Sequence, residues 1–231
     1  MNKFSIHFQP IWEFQQDKLV GFECLSRFDA VPPRSPDKWF AEAADVGLGV
    51  ELELAAMAAA LACGRDLPDD VYVTVNASAE AVVHDAFERT IGTFPLNRLV
   101  LELTEHTLVG NYHTLADALR RFRQQGMRLA IDDAGAGYSG LQQIVSLRPD
   151  IIKLDMGLTR NVDSDPARRA LASALIYYAR ETDCQILAEG IETTGELATL
   201  KLLGIKKGQG YLLGRPISFA AARALLGSRA A

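Results

Sequence analysis

Eight short runs rich in Val, Ile and Leu recur along this chain, and nearly every one hands over to a helix-like stretch. The runs cover residues 4–11, 19–28, 71–76, 99–103, 128–132, 151–154, 185–188 and 208–213. Short, almost continuous apolar runs read as strands buried on both faces. Between them, residues 50–62, 115–125, 168–181 and 196–203 carry apolar side chains at helical spacing, as in Leu171, Leu175, Ile176 and Ala179. Residues 39–46 follow Ser35 as a capping residue and Pro36 as the first helical one. Eight strands with intervening helices favour an α/β fold closed as a (β/α)₈ TIM-like barrel over an open doubly wound sheet. Residues 12–18 are too few for a helical crossover, so the first strand should run antiparallel to the second.

The 231 residues fit one domain spanning 1–231, and 48 % of them are apolar, enough for a sizeable core. The chain starts only a few residues before its first strand, so no sensor domain is expected ahead of it. A net charge of −5 argues against a DNA or RNA binder, which needs a basic face. It leaves room for a small phosphate-bearing substrate whose charge is met by dications. Cys24, Cys63 and Cys184 are odd in number and widely spaced, the pattern of reduced thiols in a cytoplasmic protein. No signal peptide or membrane-length apolar run is legible, and a homodimer is left open as an assembly.

The informative feature is where the polar residues fall. Glu23 lies inside the second run; Asn76 ends the third; Glu102 and Glu105 end the fourth; Asp132 and Asp133 end the fifth. Lys153 and Asp155 close the sixth, and Glu189 follows the seventh. In a barrel these carboxyl ends open on one face, where barrel active sites sit. Any single acid there could simply mark where polarity begins. That many acids on one mouth would repel and raise one another's pKa unless cations neutralise them. With no His or Cys cluster the donors are all oxygen, which selects Mg²⁺ or Mn²⁺ over zinc. Adjacent Asp132 and Asp133 suit two ions about 4 Å apart, the arrangement used for displacement at phosphorus. Lys153 is a candidate to orient or deprotonate the attacking water, or else an ordinary charge-balancing salt bridge.

Gly135, Gly137 and Gly140 spell G-x-G-x-x-G, with Asp155 about twenty residues on as a dinucleotide fold would ask. Two acids stand directly before it, however, where a pyrophosphate would need positive charge. The glycines are better read as a mobile loop over a metal site. His7, His84, His106 and His113 form no spaced pair, Cys24 reads as a small buried hydrophobe, and Lys206-Lys207 reads as a solvated turn with a phosphate contact as the alternative.

Taken together these motifs resemble the EAL-domain family of cyclic di-GMP phosphodiesterases, over residues 8–216. Glu23-Cys24-Leu25-Ser26-Arg27 is similar to the E-A-L-L-R signature, and Phe8-Gln9-Pro10-Ile11 to the opening strand. Asn76-Ala77-Ser78, Glu102-Leu103-Thr104-Glu105 and Asp132-Asp133-Ala134-Gly135-Ala136-Gly137-Tyr138-Ser139 follow in order. Asp150 to Asp155, Glu189 to Thr193 and Gln209-Gly210-Tyr211-Leu212 complete the series. The resemblance implies the EAL fold, a TIM-like barrel with its first strand antiparallel, and hydrolysis of cyclic di-GMP to linear pGpG with two Mg²⁺ or Mn²⁺ ions. It assigns Glu23, Asn76, Glu102 and Asp132 to the first ion, and Asp132 and Asp133 to the second with Glu189 nearby. Lys153 would position the water, and Gln9, Leu25 and Arg27 would contact substrate. Gln209 would orient the site, and Glu105 would anchor the glycine loop. The departures are Cys24, Ala134, Ala136 and Lys206; Ala136 lacks a Thr hydroxyl near Glu105, which implies a slower enzyme. Intact acids favour a hydrolase over a catalytically silent cyclic di-GMP receptor acting through a protein partner.

Overall fold

A computed structural model describes residues 4–103, 112–134 and 138–227, with the backbone alone for 133, 134, 138 and 139. The chain runs β1 (Phe4–Glu13), β2 (Lys18–Phe28), α1 (Pro36–Asp45), α2 (Gly49–Gly64), β3 (Tyr72–Ala77), α3 (Ala79–Val83) and α4 (Phe87–Ile91). It continues through β4 (Leu99–Leu103), α5 (Tyr112–Gln124), β5 (Arg128–Ala134), α6 (Tyr138–Leu147), β6 (Ile151–Leu154), α7 (Met156–Thr159) and α8 (Pro166–Glu181). It ends with β7 (Gln185–Ala188), α9 (Thr194–Leu202), β8 (Lys207–Gly208), β9 (Ile217–Ser218) and α10 (Phe219–Gly227).

Strands β2 to β8 pair in sequence order, and β1 closes the barrel by pairing antiparallel with both β8 and β2. From β2 to β8 the pairings are parallel, so β1 is the strand that runs the other way, as the short connection requires. Two corrections concern local structure. The eighth strand is only Lys207–Gly208, because the chain turns at Gly210, where Leu213 and Gly214 donate back to the Gly210 carbonyl. Residues 138–140, expected in a loop, open α6 instead, whose Ile144 and Leu147 sit one turn apart and bury in the core. Ser35 does precede Pro36 at the start of α1, but its hydroxyl makes no cap bond.

A period of two decides what lines the barrel. Tyr72, Thr74 and Asn76 share one face of β3, as do Val100 and Glu102 on β4 and Arg128, Ala130 and Asp132 on β5. Ile11, Val100, Ala130, Ile151 and Leu187 pack with Tyr72 as an apolar layer inside the barrel. Outside it, a larger core lies between strands and helices. Each buried Ile or Leu of that inner layer contributes about 1.5–3 kcal/mol. It also removes water from beneath the polar residues one step further along each strand. Arg98, buried at the entry to β4, ties neighbouring elements together: its guanidinium donates to the carbonyls of Gly64, Leu67 and Val71.

Candidate active site

Above the apolar layer, the next inward residue on each strand is polar, and these side chains meet. The Lys153 ammonium lies 2.8 Å from Glu102 Oε2, 2.9 Å from Glu189 Oε1, 3.1 Å from Asp132 Oδ1 and 3.6 Å from Glu23 Oε1. Four carboxylates around one ammonium leave a formal excess of three negative charges. The Gln209 amide donates to Glu23 and, at 3.0 Å, to Glu189, bridging the gap where β1 closes the barrel.

Burial makes this cluster expensive. Glu102 is fully buried, and its pKa is pushed up to about 8, mainly by loss of water, with Glu23 and Asp132 adding and Lys153 opposing. Burial likewise pushes Glu189 well above the usual carboxylate range. For Lys153 burial works against the charge, but Glu102, Glu189, Glu23 and Asp132 outweigh it and hold it as an ammonium. In this arrangement the Lys153 ammonium is a hydrogen-bond donor to the carboxylates around it.

The donor set suits a hard dication. Glu102 Oε1 is buried and accepts no hydrogen bond, an orphan beside side chains whose metal-ligating atoms are oxygens. Among the described residues no three acids stand as a tight metal cluster, because they gather around Lys153. At the two adjacent acids, β5 bulges: Ile131 pairs with Ile152 and Ala134 with Leu154, so two β5 residues oppose Lys153 alone.

A cavity of about 630 Å³ opens beside the acids, lined by Leu25, Arg27, Asn76 and Asp132 and floored by Met57 and Ala60 of α2. That volume is in the range of small-molecule sites. The Arg27 guanidinium donates to the Ser26 carbonyl, and Gln9, level with Glu23 in the β1–β2 register, donates to the Gly214 carbonyl. Cys24 lines the same cavity, and burial holds its thiol protonated. Glu105 and Ala136 lie outside the described residues, as does the Asp133 side chain.

Two acids that the sequence did not single out hold the site's frame. Glu53 of α2 accepts the Ser78 amide at 2.7 Å, fixing the turn after Asn76. Glu196 accepts the amides of Asn161, Glu192 and Thr193, and so ties down the loop that follows Glu189. Thr193 and Glu196 form a capping box at the start of α9, a spacing not singled out from the sequence. Burial raises the Glu196 pKa, but those backbone donors outweigh it and hold it below the usual range. Glu196→Ala should therefore cost about 2–3 kcal/mol at neutral pH. Because the folded pKa is lowered, that contribution is present above the ordinary carboxylate range and lost as pH falls through the folded value. Thermal melts of both proteins from pH 7 downward should converge in acid; a pH-independent gap would mean that the loss is packing alone.

Comparison with known proteins agrees with this geometry. The family model described as EAL domain matches residues 1–216. Cyclic di-GMP phosphodiesterase PdeR of Escherichia coli K12 is 30 % identical over 230 residues, covering 94 % of this chain and 34 % of its own length. The chain spans about a third of the length of the first curated relatives it matches. The EAL enzyme Bd1971, solved with cAMP and cyclic di-GMP bound, superposes with a TM-score of 0.87 at 26 % identity, over 97 % of this chain and 65 % of its own. Klebsiella pneumoniae BlrP1, in a manganese and cyclic di-GMP complex, gives 0.80 at 28 % identity, over 94 % and 56 %. With the barrel closed by an antiparallel first strand, the acids at its mouth and the match along nearly its whole length, this chain belongs to the EAL domain family.

Proposed function

We propose that this chain hydrolyses one phosphodiester bond of cyclic di-GMP, giving linear pGpG, with two divalent ions, Mg²⁺ or Mn²⁺. The observation that carries the reading is the set of four carboxylates gathered on Lys153 at the barrel mouth, with Glu102 Oε1 left unpartnered. Glu23, Asn76, Glu102 and Asp132 would hold one ion, and Asp132, Asp133 and Glu189 the other. When bound, the ions supply Lewis-acid stabilisation of the charge that develops on the phosphate and the attacking water. The protein's own groups do the positioning. Lys153, kept as an ammonium, has donors to direct at a water once its carboxylates are otherwise engaged. Gln209 fixes the rotamers of Glu23 and Glu189. Leu25 and Arg27 line the cavity beside the acids, where a guanidinium suits a phosphate or a guanine edge, and Gln9 stands at the same level of the barrel. Glu105 would order the glycine loop.

The relatives named above support the substrate, and the manganese in BlrP1 supports divalent ions. We take the chain as one domain acting in the cytoplasm on a small nucleotide, without DNA or RNA, and homodimerisation as its candidate assembly. No helix among the described residues is long and apolar enough to cross a membrane. The test is incubation with cyclic di-GMP in Mg²⁺, Mn²⁺, Ca²⁺ or chelator, with products separated by chromatography. Linear pGpG should form with Mg²⁺ or Mn²⁺, while the larger, loosely coordinated Ca²⁺ should inhibit. Turnover undiminished in chelator would end the two-ion reading, and tight binding without any product in Mg²⁺ or Mn²⁺ would make the chain a receptor.

A further inference from the structure

At the opposite end of the barrel, where the strands begin, lies a group of charges that this chemistry does not use. Arg128 opens β5 and Lys207 opens β8, and strand parity sets both on the inner face, in line with Asp132 and Gln209 at the other end. Their heads meet over one ring. The Arg128 guanidinium is 4.4 Å and the Lys207 ammonium 5.9 Å from the centre of the Tyr72 ring. Tyr72 is itself buried, and it lies flush against Gly21 of the paired strand, where a Cβ would come within 2.6 Å of the ring. The missing side chain at position 21 is what lets the ring lie there.

The compensation of these cations is incomplete. Among the described residues the Arg128 guanidinium has no hydrogen bond or ion pair with an acid, its one close contact being the Tyr72 ring. Lys207 donates to Gln185 Oε1 at 2.9 Å. Burial, then Arg128, push the Lys207 pKa down; Glu13 opposes them and Lys206 adds to them. Lys18, next to Glu13 in the register, is taken by Asp70 at 2.9 Å. Arg128 and Lys207 thus face Glu13, whose carboxylate already accepts the Gln15 and Gln16 amides, and both cations have solvent access while the ring beneath them has almost none.

We propose that this floor of the barrel is a binding site for a compact phosphate-type dianion, held between the Arg128 guanidinium and the Lys207 ammonium above Tyr72. The planar guanidinium fork matches two oxygens of such an anion, and the ammonium adds a point charge on a flexible stem. An extended polyanion fits poorly, because the chain as a whole carries −5. The site stands apart from the acids at the mouth by the full length of the strands, so its test needs no divalent ion and no turnover.

The experiment is calorimetric titration of the full chain, in chelator and low salt, with inorganic phosphate in one arm and a nucleoside monophosphate in the other. Saturable one-to-one binding is expected, and Arg128→Met and Lys207→Met should each weaken it about tenfold. Arg27→Met, at the other end of the barrel, should leave it unchanged. Lys207→Met should also raise the phosphate-free Tm, since it relieves a like-charge contact. This second readout stands even if an Arg128 variant folds poorly. Equal affinity for phosphate and the monophosphate would place recognition in the dianion. Three results would overturn the site: no saturable binding of phosphate, binding that both lysine and arginine variants retain, or a lowered Tm in Lys207→Met. The last would make the charges a structural plug.

Discussion

Lys153→Met is expected to separate the two things that Lys153 does. In chelator the four carboxylates lose their shared ammonium, and stripping the partner from a buried ion pair costs about 3–5 kcal/mol. At about 2–4 °C per kcal/mol for a chain of this size, Tm should fall on the order of 10 °C. Protonation of Glu102 and Glu189, whose pKa values are already raised, limits the loss. A divalent ion should restore most of the Tm, because it replaces the missing positive charge. Turnover should not return, since a preorganised hydrogen-bond donor is worth about 10²–10³ in rate. Cyclic di-GMP binding should survive better than kcat, because the water's position matters mostly in the transition state. Melts with and without Mg²⁺, beside steady-state kinetics, give both answers. A Tm in chelator equal to the parent's would mean that the acids are held neutral without Lys153.

Glu102→Gln should move stability the other way while also abolishing activity. Glu102 is fully buried, gives one oxygen to Lys153 and leaves the other unpartnered, so its charge is costly to keep in the absence of an ion. Gln preserves the shape and still accepts from Lys153. The protein in chelator should gain on the order of 1 kcal/mol, read as a Tm raised by a few degrees. With Mg²⁺ present, kcat/KM should fall about 10³-fold, equivalent to about 4 kcal/mol of transition-state stabilisation. Added Mg²⁺ should raise the parent's Tm more than the variant's, since the variant has lost a ligand. Activity within tenfold of the parent would remove Glu102 from the metal set. Opposite signs in stability with the same sign in activity are what a cluster assembled for a cation requires, and a purely structural salt bridge would not give them.

Much of this was legible in the chain because the signals are local. Runs such as 151–154 announce buried strands, helical spacing such as Leu171, Leu175, Ile176 and Ala179 announces α8, and a connection too short for a helix forces the first two strands antiparallel. What was missed is mostly short or set by distant partners, although α6 and α10, of ten and nine residues, also went unread. The helices α3, α4 and α7 have one turn or little more, too few residues to show a period. Strand β8 is cut to two residues by a turn that forms against Ile191, a contact no local pattern records. Glu53 and Glu196 look like ordinary surface acids in sequence, and only the amides brought to them from other elements give them work.

The chain by itself determined the order and type of its main elements, the reversed first strand and the rule that every second residue of a strand shares a face. Because strands β3 to β7 run the same way, the carboxyl ends that carry Asn76, Glu102, Asp132, Lys153 and Glu189 open at one end of the barrel. Closure decided the rest. Which residue stands across the barrel axis from which is set by pairings as distant as β1 with β8, and a charge's free energy depends on what stands opposite and how much water remains. Lys153 became an ammonium at the centre of four acids, and Arg128 and Lys207 two cations over one ring, because the barrel brought them there.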